Sequence, residues 1–258
     1  MLEVYSHREL RMISCQNLTK RFGDFTAVDR VTLDIAPGTI CAFLGPNGAG
    51  KSTTVKMLTG LLPPTSGEAF VNGISVAKEP VTVKRAIGVL PEDLALFDLL
   101  TVEEHLLMAG PVYGIHKHET QARADQLLRA LALEDGRDTF IDHCSYGMRK
   151  KTALALALLH NPSVLFLDEP FEGIDPVTAK TIRDLLLRLA QGGMAIFLTS
   201  HMLSIVERLA SRIVMIRHGR VVWDSAANEL PKSLEDLYFE LVEAPEVQEM
   251  AWLGSRPS

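Results

Sequence analysis

The sequence predicts a mixed α/β fold, in which a parallel-sheet core carries an N-terminal antiparallel β subdomain and an inserted α-helical subdomain. Three observations lead to this prediction. Apolar and polar residues alternate from about Ile13 to Ile40, as they do in half-buried strands. A short apolar run, Thr39 to Leu44, leads into a glycine-rich loop and then into a helical segment, Thr54 to Leu58. From Thr101 the apolar residues recur with a helical period, and strand patterns return after about residue 160.

Turn signals divide the N-terminal region into strands. Gly23-Asp24 and Pro37-Gly38 each mark a turn, and Pro63 to Gly67 ends the helix after the glycine-rich loop. Asn72-Gly73 is typical of a hairpin, so we expect Glu68 to Val71 to pair with a strand that follows it.

The middle of the chain is predicted to be helical after one more short strand, Ala86 to Leu90. Thr101 and Glu104 form a capping box that opens the first helix. This helix is predicted to continue through Met108. Helical periodicity predicts two more helices, one from about Glu119 to Leu133 and one from Met148 to Leu159.

The last third of the chain alternates strand and helix. Val164 to Leu167 and Met194 to Thr199 are apolar enough for buried strands, and Pro176 to Ala190 between them has the composition of a helix. This order predicts a parallel sheet, with the helices of residues 95–160 forming an insertion in it.

The glycine-rich loop matches the P-loop or Walker A pattern G-x-x-x-x-G-K-[ST]. Its glycines allow backbone N–H groups to turn inward around an anion. Lys51 would lie near the β- and γ-phosphates of a nucleotide, and the Ser52 hydroxyl would be a ligand of Mg²⁺. The predicted binding residues are Gly45, Pro46, Asn47, Gly48, Ala49, Gly50, Lys51, Ser52 and Thr53.

Two adjacent carboxylates, Asp168 and Glu169, follow the apolar strand Val164 to Leu167. At the end of a buried strand, Asp168 can hold Mg²⁺ or its water, and Glu169 can act as a general base on the attacking water. The alternative is a strand that ends in a solvated acidic turn, and the P-loop upstream favours the catalytic interpretation.

His201 follows the next strand, in Thr199-Ser200-His201. A histidine in this position is more often a satisfied core or surface residue. Neighbouring parallel strands would nevertheless bring His201 close to the acidic pair, where it could contact the γ-phosphate.

The order of these motifs resembles that of the ATP-binding subunits of ABC transporters, from about residue 12 to residue 225. GPNGAGKSTT and LFLDEP match the family's Walker A and Walker B motifs. Cys144 to Met148 takes the place of the LSGGQ signature, Gly173 to Pro176 matches the D-loop, and His201 matches the switch histidine. The resemblance implies a P-loop NTPase (RecA-like) core that binds ATP with Mg²⁺.

The resemblance also implies a head-to-tail dimer that encloses two ATP molecules, with Ser145 and Gly147 of one subunit facing the P-loop of the other. Donors at the start of a helix suit a γ-phosphate. Transmembrane permease subunits would convert ATP-driven closure into transport, and the chain would lie on the inner face of the membrane. The sequence leaves a homodimer and a heterodimer equally open.

Two segments depart from the family pattern. In the signature segment, Cys144, Tyr146 and Met148 replace leucine, glycine and glutamine, so the segment is either a working variant or a loop before a helix. Glu92 stands where the Q-loop normally has glutamine. Its carboxylate can ligate Mg²⁺ or its water, as in certain drug, lipid or polysaccharide exporters, whereas the alternative is a plain surface turn.

Three further segments complete the predictions. Phe22 fits the aromatic residue that stacks on adenine, although an aromatic in a strand is usually core. Arg149 to Lys151 is predicted to be a solvated helix face rather than a nucleic-acid site. Beyond the ATP-binding domain (12–225), residues 226–258 are predicted to be a tail with an amphipathic helix at Ser233 to Val242 and a disordered end from Gly254.

Composition limits the remaining possibilities. The net charge of −6 does not favour nucleic acid, and Cys15, Cys41 and Cys144 lack the spacing of a disulfide framework or zinc site. The sequence contains neither a signal peptide nor an apolar run of bilayer length, so we expect a cytoplasmic protein that meets the membrane through its partner.

The leading hypothesis is an ATP-hydrolysing subunit that powers a transporter, most consistent with export. One alternative is an ABC-type ATPase that acts on DNA or ribosomes. Another is a weakly hydrolysing nucleotide-binding partner in a heterodimer, which the altered signature segment leaves open.

Overall fold

The computed structural model of the protein describes residues 11–242. The strands are β1 (Ile13–Phe22), β2 (Phe25–Ile35), β3 (Ile40–Leu44), β4 (Ser66–Val71), β5 (Ile74–Ser75), β6 (Ile87–Leu90), β7 (Val164–Asp168), β8 (Ala195–Ser200), β9 (Arg212–Arg217) and β10 (Arg220–Ala226). The helices are α1 (Lys51–Leu58), α2 (Pro80–Ala86), α3 (Val102–Val112), α4 (Lys117–Ala130), α5 (Tyr146–Leu158), α6 (Pro176–Gln191), α7 (Leu203–Leu209) and α8 (Leu234–Val242).

A six-stranded sheet in the order β10-β9-β3-β8-β7-β6 forms the core. All neighbouring strands are parallel except the antiparallel pair β9–β10. Every residue of β3, β7 and β8 is buried, which explains why these strands are continuous apolar runs rather than alternating ones. Since parallel strands end at one edge, the segments after β3, β7 and β8 meet there.

A second sheet, in the order β2-β1-β4-β5, is antiparallel. Asn72 and Gly73 both have positive φ, 52° and 76°, as a type I′ hairpin turn requires. The predicted hairpin is therefore confirmed, with Phe70 opposite Ser75. The mixed α/β fold class with an N-terminal antiparallel sheet is confirmed as well.

Helices α3, α4 and α5 pack together through buried apolar side chains, among them Leu106, Leu128 and Leu154. The predicted capping box is present: Thr101 Oγ1 accepts from the Glu104 N–H, and the Glu104 carboxylate accepts from the Thr101 N–H. Helix α3 continues to Val112, past the predicted end at Met108, with Pro111 in its last turn.

Other helix boundaries differ from the predictions. Helix α1 begins at Lys51 rather than Thr54, so the last residues of the P-loop are already helical. The short helices α2 and α7 were not predicted, because seven residues are too few to show a helical period. Helix α8 is present as predicted, with Leu234 and Leu237 buried, while the predicted disordered end from Gly254 lies outside the described residues.

Between residues 11 and 242, none of the helices combines the length and the apolar character needed to cross a bilayer.

Candidate active site

The P-loop connects the end of β3 to α1, and close packing dictates its glycines. Gly50 has φ 108°, a conformation that L side chains rarely adopt, and a Cβ there would lie 2.5 Å from the Ala27 carbonyl oxygen. A Cβ on Gly45 would lie 2.3 Å from the Ile216 carbonyl oxygen. Both positions therefore exclude any larger residue.

Lys51 lies across its own loop. Its side chain is 7% exposed, and Nζ donates to the carbonyl oxygens of Gly45 at 2.8 Å and Pro46 at 3.3 Å. A charged donor inside the loop gives it a positive centre at the point where the motif predicts phosphates.

A single hydroxyl group on β8 bonds the Asp168 side chain and the Glu169 backbone at the end of β7. Asp168 and Thr199 are register partners, and Thr199 Oγ1 donates to Asp168 Oδ1 at 2.5 Å. Thr199 Oγ1 also accepts from the Glu169 N–H at 3.1 Å. From the sequence, Thr199 is a strand residue without a predicted role, because strand register is not visible in the chain.

Glu169 and His201 are in direct contact. Glu169 Oε2 lies 3.0 Å from His201 Nδ1 and accepts from the His201 backbone N–H at 3.2 Å. The Glu169 side chain is nearly buried, whereas the His201 ring is half exposed. The structure thus brings together the two predicted catalytic residues from the ends of neighbouring strands.

These groups line one cleft of about 720 Å³. Its lining includes most of the predicted site residues, namely Phe22, Gly45, Pro46, Asn47, Gly48, Gly50, Lys51, Ser52, Thr53, Glu92, Glu169 and His201. Ala49 and Asp168 are buried beneath it. Phe22 is 50% exposed, so it is not a core residue, which removes that alternative.

The cleft also contains residues that sequence analysis did not assign to it: Phe25, Ala27, Glu172 and Tyr238. Phe25 is exposed beside Phe22, and this second ring could have been found from the short turn between them. Tyr238 belongs to α8, far away in sequence. Burial, and secondarily the charge of Glu169, raises the pKa of its hydroxyl group.

Ser145 and Gly147 do not line this cleft. Ser145 Oγ is the N-cap of α5 and accepts from the Met148 N–H at 3.2 Å. The Tyr146 ring packs on the D-loop, where a Cβ on Gly173 would lie 2.9 Å from it. Within one chain, the signature segment therefore contacts the D-loop rather than the P-loop.

The prediction that Arg149 to Lys151 is a solvated helix face is wrong for Lys150. This lysine is 1% exposed, because it points from α5 under the turn that follows β7. Helical spacing alone should have separated it from its neighbours, since residues next to each other in a helix face different directions.

Comparison with known proteins shows the family of this chain. The family described as ABC transporter matches residues 28–172. The daunorubicin/doxorubicin resistance ATP-binding protein DrrA of Streptomyces peucetius is 38% identical over 224 residues, which are 87% of this chain and 68% of DrrA. The ABC transporter ATP-binding protein NatA of Bacillus subtilis is 34% identical over 88% of this chain and 96% of its own.

Solved structures give the same result. The structure described as an ATP-binding subunit of an ABC transporter is similar with a TM-score of 0.83 and 32% identity, over 89% of this chain and 99% of its own. The ATP-binding cassette MJ0796, solved as a dimer in a post-hydrolysis state with ADP and Pi, has a TM-score of 0.79 and 26% identity, over 85% of this chain and 100% of its own.

Proposed function

Because this chain belongs to the ABC transporter family and is an ATP-binding and hydrolysing subunit, we propose that it powers export through separate transmembrane permease subunits. In this proposal residues 12–225 form the ATP-binding domain, with the helical subdomain of about 95–160 inserted, and residues 226–258 form the tail. Relatives named for resistance to daunorubicin and doxorubicin and for bacitracin transport support export of an organic compound. The chain would then lie on the inner face of the membrane.

The cleft has a separate place for each part of ATP. The exposed ring of Phe22 can stack on adenine, and stacking requires only a π-face. The P-loop N–H groups can bind the phosphates. Lys51 would exchange its contacts with the Gly45 and Pro46 carbonyl oxygens for contacts with the phosphates, and these carbonyl oxygens hold the lysine close to where it would act.

The oxygen groups next to the P-loop fit Mg²⁺. Ser52 offers a hydroxyl group, Glu92 a carboxylate in the cleft, and Asp168 a carboxylate whose Oδ1 is oriented by Thr199. Mg²⁺ prefers oxygen ligands and shares its coordination with waters and phosphates, so a cage of many protein ligands is not needed. When bound, the ion neutralises charge on the phosphates.

The contact between Glu169 and His201 carries the proposal for catalysis. His201 holds the Glu169 carboxylate through both its ring and its backbone N–H, which fixes the carboxylate in the cleft. Glu169 would accept a proton from the attacking water, and the half-exposed His201 ring would stabilise the γ-phosphate.

Two copies of a cassette are needed to enclose ATP in this proposal. Ser145 and Gly147 lie at the start of α5 and away from their own cleft, so they are placed to bind the nucleotide of a partner. The dimeric state of MJ0796 supports this arrangement. The partner is a second copy or a related subunit.

A weakly hydrolysing role in a heterodimer is the second candidate, and Tyr146 is the observation that favours it. Its exposed ring stands where the family has glycine, at a place of close approach. Single-turnover hydrolysis by the purified chain separates the two candidates, because a weak partner would bind ATP and hydrolyse it slowly.

The substitution Glu169→Gln tests the assigned base. It should lower turnover at least about a hundredfold, the usual contribution of a general base, while Mg-ATP still drives dimerisation. Glu68→Gln, on an exposed part of β4, is the matched control and should hydrolyse ATP normally. Undiminished turnover in E169Q would reject the assignment.

A further inference from the structure

Helix α5 buries a lysine against the turn that carries Glu169. The Lys150 side chain is 1% exposed, and Nζ donates to the carbonyl oxygens of Glu169 at 2.5 Å and Glu172 at 3.1 Å. The ammonium also lies 5.3 Å from the centre of the Tyr146 ring, a favourable distance for a cation–π contact. Its donors are therefore directed at one turn of backbone.

That turn has an unusual backbone at Glu169. Its φ of 48° is in the left-handed region, which is strained for a residue other than glycine. The Glu169 N–H is held by Thr199 Oγ1, and its carbonyl oxygen accepts from both Lys150 and the Glu172 N–H. With both ends of the residue held, its side chain is directed toward His201.

The positive charge of Lys150 is surrounded by carboxylates. Burial lowers the pKa of the ammonium, but the carboxylates of Glu172, Glu169, Glu92 and Asp168 oppose this effect. Glu92 adds a negative charge where its family normally has a neutral glutamine, so a buried cation nearby balances it. An apolar side chain of similar length would fill the same volume without the cost of burying a charge, so packing alone does not explain a lysine here.

We propose that Lys150 is a positioning residue for Glu169: its hydrogen bonds to the Glu169 and Glu172 carbonyl oxygens keep the strained turn, and hence the carboxylate, in the orientation that hydrolysis needs. This inference rests on the proposed role of Glu169 as the base. Lys150 itself does not contact ATP in this proposal, so its loss should affect turnover and not nucleotide binding.

Four variants of the full-length chain test the proposal. Lys150→Met fills the space but donates no hydrogen bond, and it should lower the single-turnover rate about 10- to 100-fold, the cost of a misplaced catalytic group. Lys150→Gln keeps N–H donors on a side chain one bond shorter and should turn over severalfold faster than Lys150→Met, since part of the hydrogen bonding to the two carbonyl oxygens is kept. Lys150→Asn has the same amide group on a shorter stem and should lose turnover as Lys150→Met does. Lys151→Met is the matched control, because Lys151 bonds the Ala132 carbonyl oxygen on the helix surface, and it should hydrolyse ATP normally.

Each variant is measured for thermal unfolding, affinity for a fluorescent ATP analogue with Mg²⁺, and single-turnover hydrolysis. The expected result is unchanged affinity with reduced turnover in K150M and K150N, and turnover severalfold higher than theirs in K150Q. If K150M does not fold, the comparison of K150Q with K150N tests the proposal, since both side chains end in the same amide group and differ only in length. Folded K150M or K150N with wild-type turnover would overturn the proposal, as would a K150Q variant as slow as K150N.

A double substitution shows whether Lys150 acts through Glu169. In an E169Q background, K150M should change the residual hydrolysis less than about twofold, because residues that act as one unit are not additive. If the losses of turnover caused by K150M and E169Q multiply fully in the double variant, Lys150 has a role separate from that of Glu169. Failure of the proposed role of Glu169 would look different, because the E169Q chain alone would then hydrolyse ATP at the wild-type rate.

Discussion

At the scale of single residues, hydrogen bonds between strand ends assemble this site. Thr199 bonds both residues of the acidic pair: its hydroxyl group donates to the Asp168 carboxylate and accepts from the Glu169 backbone N–H. Glu169 in turn holds His201. Each of these pairs is about thirty residues apart in sequence, and each exists because β7 and β8 are neighbours in register.

The Thr199 hydroxyl gives a prediction at this scale. Thr199→Val keeps the shape of the side chain but removes the bonds to Asp168 and Glu169, and should lower turnover about 10- to 100-fold, as loss of an orienting partner usually does. Thr199→Ser keeps the hydroxyl group and should recover most of the rate. Equal activity in T199V and wild type, measured at saturating Mg-ATP, would show that the hydroxyl group does not orient the acidic pair.

At the scale of elements, local signals predicted the helices and strands that begin or end at a clear capping or turn motif. The Thr101–Glu104 capping box and the Asn72-Gly73 hairpin were both found from a few adjacent residues, because each motif satisfies its own backbone groups. Helix α8 was predicted from Leu234, Leu237, Tyr238 and Leu241. The position of α8 next to the cleft was not predicted, because it depends on how α8 packs against α7.

The docking of α8 can be measured as stability. Leu237 is 3% exposed in the same apolar cluster as the core helices, so Leu237→Ala should lower the free energy of unfolding by about 2–5 kcal/mol. Leu99→Ala is the matched control, since Leu99 is 81% exposed and its loss should change stability by less than about 0.5 kcal/mol. Urea unfolding gives both values. Equal values for the two variants would mean that α8 does not dock in solution.

At the scale of the whole molecule, one chain completes only part of the proposed catalytic unit. The P-loop, Glu169 and His201 share a cleft, whereas Ser145 and Gly147 lie elsewhere. The proposed dimer would supply these groups from a partner, so binding of ATP and closure of the dimer should be separable by substitution.

The substitution Ser145→Asp should separate ATP binding from closure of the dimer. Aspartate remains a good N-cap for α5, but it places a negative charge where the γ-phosphate of the partner should bind. In an E169Q background, S145D should bind Mg-ATP normally and lose ATP-driven dimerisation in size-exclusion chromatography. Ser66→Asp, exposed on β4, adds the same charge elsewhere and should still dimerise. Normal dimerisation of S145D would place the interface on another surface.

The sequence by itself determined the chemistry of contiguous motifs: the P-loop, the acidic pair after a buried strand, and the fold class that their order requires. These features depend on neighbours along the chain, where residue type and period are sufficient. Only the tertiary structure showed that Thr199 bonds the Asp168 carboxylate and the Glu169 N–H, that Tyr238 reaches the cleft and that Lys150 is buried beneath Glu169. These contacts depend on strand register and on which helix face meets the sheet, and both are decided by the packing of segments that are distant in sequence.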